Sequence, residues 1–153
     1  MYAASELERL RLRRGDVLVV EGNGGVDQIG RNAIFRGEID DCVHQNHLIR
    51  VRADLARMAP DLLSLFLNSD PGRAQMVDKA RTASGLYTLS VSKVGQLDLP
   101  VPPLDVQRQV ADEVYNRLEW TADLRSASAT QFASMEVLAA ALLRQAFAGD
   151  LSA

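Results

Sequence analysis

Two stretches of this chain concentrate side chains able to read a polyanion. From Lys79 to Lys93 the sequence interleaves Lys79, Arg81 and Lys93 with the hydroxyls of Thr82, Ser84, Ser90 and Ser92 and one aromatic, Tyr87. Cations neutralise phosphates, hydroxyls donate to phosphate oxygens and a ring can stack on a base, so this is the composition of a phosphate-contacting loop. A mobile polar loop is the competing account. The second stretch carries Gln45, Asn46, His47, Arg50 and Arg52. Arginine can bind guanine bidentately, and asparagine or glutamine can do the same to adenine. On a strand of period two, Asn46, Arg50 and Arg52 share one face and Gln45 and His47 the other, so they cannot all reach one groove. The solvated side of a half-buried strand explains the outward set equally well. Arg31 follows Gly30, where glycine permits close backbone approach and the guanidinium can clamp a phosphate. An ion pair with an acidic neighbour is the alternative there.

Catalytic constellations are thin. Gly22-Asn23-Gly24-Gly25 lacks the Gly-Lys-Ser/Thr of a phosphate-cradling loop and the spaced glycines of dinucleotide folds, and it reads as a turn. His44 and His47 lie three apart on an expected strand, so their rings point to opposite faces and make a poor metal pair. Glu38, Asp40 and Asp41 sit in an expected turn without an accompanying lysine motif. A non-catalytic protein without cofactor or metal is the expectation. Cys42 is the only cysteine, which excludes an internal disulfide and a thiolate cluster. Its flank, DDCVHQ, reads as a strand, and a reducing, cytoplasmic setting fits. No run approaches the roughly 18 apolar residues of a spanning helix, and the first residues lack a signal pattern.

The elements that must position these groups follow from patterning. With 153 residues, 47% of them hydrophobic and 24% charged, the chain suffices for one core and an appendage. The charge divides unevenly: residues 1–103 hold 13 basic and 13 acidic groups, residues 104–153 hold 4 and 7. The segment from Arg73 to Lys93 has a surplus of three positive charges, so overall acidity does not exclude a polyanion partner. Asp16 to Glu21 is a β-branched run that predicts a buried strand. Ile29 to Phe35 and Val43 to Val51 also have strand character, with a hairpin-type connection over Gly37 to Asp41. Pro60 opens a short helix ending near Asn68 to Asp70, and a second begins at Pro71. Ser84 to Val101 reads as β-like or irregular, and Pro100, Pro102 and Pro103 mark a stiff boundary.

After that boundary, Leu104 to Ala148 contains no Gly or Pro and ten Ala, which predicts one long helix. At 1.5 Å per residue it runs roughly 65 Å and must project from a ~100-residue globule. Val110, Val114, Leu118, Leu124, Phe132, Met135, Leu138 and Leu142 form an apolar stripe that needs a partner. The stripe lapses over Arg125 to Gln131, which favours antiparallel pairing over a long parallel zipper. Tyr115, Trp120, Phe132 and Phe147 are half of the eight aromatics and are expected to pack in an interface. The expected fold class is α+β, a small mixed domain at 1–103 followed by a long coiled-coil-type helix at 104–153.

The stretch LSVSKVGQLDLPVPPLDVQRQV, Leu89 to Val110, resembles the segment closing a target recognition domain in the specificity subunit of type I restriction-modification systems. The matching residues are Pro102, Pro103, Leu104, Asp105 and Gln107, with Val106 where the family usually has Glu. LRRGDVLVV, Ile29-Gly30-Arg31 with Ala33-Ile34, and HQNHLIRVR resemble the family's central strands, and LLRQAFAGDL the end of its spacer helix. The recognition domain is expected to lack its N-terminal part, since only residues 1–14 precede the Gly15-Asp16 strand. The resemblance implies a DNA-reading component that is not itself an enzyme, binds double-stranded DNA and docks methyltransferase subunits, with the restriction subunit an indirect partner. Its DNA contacts would come from Arg31, Asn46, Arg50, Arg52, Lys79, Arg81, Ser84, Tyr87, Ser92 and Lys93. A homodimer through the long helix would hold two readers at a fixed separation over a bipartite site. The rival expectation is a truncated relic that keeps only dimerisation and protein docking.

Overall fold

The run of β-branched residues after Asp16 forms the central strand, β1 (Val17–Val20), with Val17 and Val19 fully buried on one face. The computed structural model describes residues 4–22, 25–82 and 87–148. β1 is flanked by β2 (Asn32–Ile34) and β3 (Leu48–Val51), both antiparallel to it, in the order β2-β1-β3. Val17 pairs with Ile34 on one side and Val51 on the other, and Val19 with Ile49, so side chains of all three strands stack on the core face.

Two helices cover that face. α2 (Pro60–Asn68) begins with proline at its first position and buries Leu63, Ser64 and Leu67. Ser69 ends α2 and caps α3 (Asp70–Ala80): its hydroxyl donates to Phe66 O at 2.6 Å and accepts from Gly72 N at 3.4 Å. The corner is tight enough that a Cβ at Gly72 would lie 2.0 Å from Phe66 O. α3 contributes Met76 and Ala80 to a core shared with Val17, Val19, Ile29, Ile49, Leu63, Leu67 and Leu89. A short helix α1 (Ala4–Leu10) precedes β1, and α4 (Val91–Val94) precedes the proline stretch. The architecture is α+β: a small antiparallel sheet with short helices, then the long helix α5 (Leu104–Ala148). None of the described helices is both long and apolar enough to cross a membrane.

Several expected elements are shorter or different. The strand expected from Ile29 starts only at Asn32, because Val26–Gln28 is a single 3-10 turn and Gly30 has φ +71°. The strand expected from Val43 starts at Leu48, because His47 has φ +75° within a turn closed by Leu48 N donating to Gln45 O. Cys42 therefore stands outside any strand, and its neighbour Val43 makes one isolated bridge with Arg11. Gly37 to Asp41 does not close a hairpin, since β2 and β3 lie on opposite sides of β1. Within the expected irregular stretch after Ser84, Ser90 caps the single turn of α4, accepting from Lys93 N at 3.3 Å.

The chain divides into two units, one running to Ala111 and one from Asp112 onward. The first includes the opening turns of α5, where Gln107 and Ala111 are buried. In the second, Leu118, Leu124, Phe132, Met135, Leu138 and Leu142 are all exposed, as are Trp120 and Phe147, whereas Val114 is half-buried.

Candidate nucleic-acid interface

Asp16 is the electrostatic centre of the first unit. The residue is 1% exposed, and Arg52 grips its carboxylate with Nε on Oδ1 and Nη2 on Oδ2, each at 2.7 Å. The backbone N–H of Arg13 donates to Oδ2 at 2.7 Å. Burial alone would raise this carboxyl, but the hydrogen bonds from Arg52 and Arg13 and the charges of Arg52 and Arg50 together hold it below the ordinary carboxylate range. The carboxylate in turn raises the Arg52 guanidinium. Arg52 Nη2 also donates to Arg11 O at 3.2 Å, and Arg50 Nη1 donates to Arg9 O at 2.9 Å and Arg11 O at 3.0 Å. Both arginines thus fasten the segment entering β1. The sequence placed Arg50 and Arg52 with Asn46 on one outward face; the positive φ at His47 breaks that alternation, leaving Asn46 in an exposed turn apart from the two fastened guanidiniums.

Arg31 is exposed, and its Nη1 donates to Gln28 Oε1 at 2.6 Å. The adjoining Gly30 has a structural reason to be glycine, since a Cβ there would lie 2.6 Å from the Met76 sulfur. Around the expected contact loop, Arg81 and Tyr87 face each other across an isolated antiparallel bridge, and Thr88 N donates to Ala80 O. Lys93 Nζ donates to Ala80 O at 3.3 Å and Thr88 O at 2.8 Å, which closes the base of the loop from both sides. Tyr87 is half-buried against the core, Ser92 and Arg81 are exposed, Lys79 is half-buried, and Ser84 lies outside the described residues. Arg81, Tyr87 and Lys93 are therefore brought together, while Asn46 and Arg31 are not part of the same loop. Among the described residues no group of three His, Cys, Asp or Glu is placed to hold a metal ion.

One residue whose role was not legible in the pattern is Gln107. It is fully buried, its Oε1 accepts from Ala59 N at 2.8 Å, and its Nε2 donates to Arg57 O at 2.8 Å and Pro102 O at 2.7 Å. A buried amide with both ends satisfied locks the first turn of α5 to the loop before α2 and to the proline stretch. The sequence marks Gln107 only as a member of the motif from Pro102 to Gln107, without its partners. Beside this lock an open apolar depression is lined by Val51, Met58, Leu63, Leu99 and Val101, with Asp54 and Arg57.

No family model matches the chain. It is 24% identical over 150 residues to the StySPI type I restriction enzyme specificity subunit of Salmonella potsdam, covering 98% of this chain and 32% of the relative. It is 27% identical over 153 residues to the EcoKI type I restriction enzyme specificity subunit of Escherichia coli strain K12, covering 97% of this chain and 32% of that relative. The chain thus spans about a third of the length of the curated relatives it matches. Over nearly all of its own length, it is similar to the specificity subunits of type I restriction enzymes.

Proposed function

We propose that the chain is a non-catalytic DNA-specificity element of a type I restriction-modification complex. The observation that carries this reading is the similarity to specificity subunits over 97–98% of the chain. The first unit is the reader, in which Arg81 and Lys79 neutralise phosphates beside Tyr87, with Ser92 and Arg31 at its margins. Arg50, Arg52 and Lys93 act differently: they hold the backbone that presents the contacting groups. Gln107 ties the first turn of α5 to the reader, and α5 provides the surface for a second copy and for the methyltransferase subunits, with the restriction subunit an indirect partner.

The test is equilibrium binding of the chain to duplex DNA across a salt series. Affinity falls steeply with salt, and K79Q/R81Q lowers the log–log slope by up to about 2, near 0.9 per lost phosphate contact. Binding without salt dependence overturns the DNA-reading function. The internal use of three of the expected cations favours one second reading, a module that pairs and docks through α5 without reading DNA. That reading predicts oligomerisation with no salt-sensitive DNA affinity.

A further inference from the structure

We propose that Arg9, Arg13 and Arg14 form a second phosphate-contacting edge for duplex DNA, separate from the loop around Arg81; this rests on the reading of the chain as a DNA-specificity element. Residues 9–14, RLRLRR, contain four arginines and no acidic residue. Arg9, Arg13 and Arg14 are exposed, and none makes a side-chain hydrogen bond or ion pair among the described residues. Arg14 occupies the tip of a turn, Arg13 to Asp16, closed by Asp16 N donating to Arg13 O at 2.9 Å, with Gly15 at φ +92° in the position that needs it.

No carboxylate among the described residues pairs with Arg9, Arg13 or Arg14. Asp16 is buried beneath Arg52, Glu8 and Asp41 both pair with Arg11, and Glu38 accepts the backbone N–H of Arg36 at 2.9 Å. The guanidiniums of Arg9, Arg13 and Arg14 are therefore not held in ion pairs among the described residues, which leaves them available for phosphate neutralisation. The backbone that carries it is held in place: Arg50 and Arg52 grip the carbonyls of Arg9 and Arg11, Leu12 N donates to Cys42 O at 2.8 Å, and Gly15 N donates to Phe35 O at 2.9 Å. A backbone held in this way costs less ordering entropy on binding than a floppy tail. The buried Asp16–Arg52 pair thus serves the surface by withdrawing the one acid adjoining the turn.

The full chain is titrated against a fluorescein-labelled mixed-sequence duplex between about 50 and 200 mM salt, with circular dichroism as the fold control. The backbone contacts of Arg9 and Arg13 survive side-chain substitution, so R9Q/R13Q/R14Q is expected to fold. It lowers the log–log slope by about 2 to 3 and weakens low-salt binding about tenfold or more, while R9K/R13K/R14K keeps the wild-type slope. R14Q alone, at the turn tip, lowers it by about 0.9 and decides the matter should the triple variant not fold. Wild-type slopes in R9Q/R13Q/R14Q or R14Q overturn this edge and leave the DNA-reading function standing. A wild-type chain without salt-sensitive DNA binding, including one that binds only phosphatidylserine vesicles, overturns both.

Discussion

The two units of this molecule treat apolar side chains in opposite ways. Up to Ala111 the chain encloses a core: Val17, Val19, Met76 and Leu89 are wholly buried, and polar Gln107 and Asp16 are buried with hydrogen-bond partners, while Ile39, Leu55 and Val91 stay exposed around it. From Asp112 onward the same residue types are open, with Leu138 61% and Phe147 90% exposed. A fully buried aliphatic side chain contributes about 1.5–3 kcal/mol, and the first unit realises that gain within itself. The helix has the same potential unrealised, and the proposed pairing through α5 would realise it. On the proposed function, core mutations in the first unit alter folding, mutations of its exposed cations alter DNA binding, and mutations in the second unit alter association.

That contrast can be broken or sharpened by substitution. The largest expected effect is Q107A, which strands Ala59 N and the carbonyls of Arg57 and Pro102 and destabilises the first unit by about 3–4 kcal/mol in urea unfolding. R52M leaves the Asp16 carboxylate buried without its charged partner and costs about 3 kcal/mol at neutral pH. Its pH dependence has a definite sign. The folded-state carboxyl of Asp16 is held below its unfolded value, so its contribution is fully present above about pH 4 and is lost as pH falls through the depressed folded value. Unfolding curves of wild type and R52M therefore diverge most near neutrality and converge in acid. Next in size is G72A, whose new methyl meets Phe66 O at the α2–α3 corner and costs about 2 kcal/mol. Smallest for stability is L138D/L142D, which changes first-unit unfolding by less than about 0.5 kcal/mol while abolishing self-association.

The parts of the fold that were legible in the sequence are those whose ends and composition are distinctive. β1 is a short β-branched run before a glycine cluster, α2 opens on Pro60, and α5 is a long stretch without Gly or Pro after a proline boundary, and all three appear where expected. The failure at β3 has a specific cause: a non-glycine residue with positive φ carries no compositional mark. His47 at φ +75° erased half of an expected strand and with it the shared face of Asn46, Arg50 and Arg52. At the candidate interface, sequence could identify cations but not their partners, which are backbone carbonyls and one buried carboxylate distant in sequence. Gln107 stood within the recognisable proline motif, yet two of its three hydrogen bonds depend on a loop roughly fifty residues upstream.

The central claim is that the exposed apolar face of α5 is an interface, and the mass of the purified chain in solution tests it most directly. Multi-angle light scattering is expected to give about twice the 16.7 kDa chain mass for the wild type and the single-chain mass for L138D/L142D. A wild-type chain of 16.7 kDa at every concentration would contradict it.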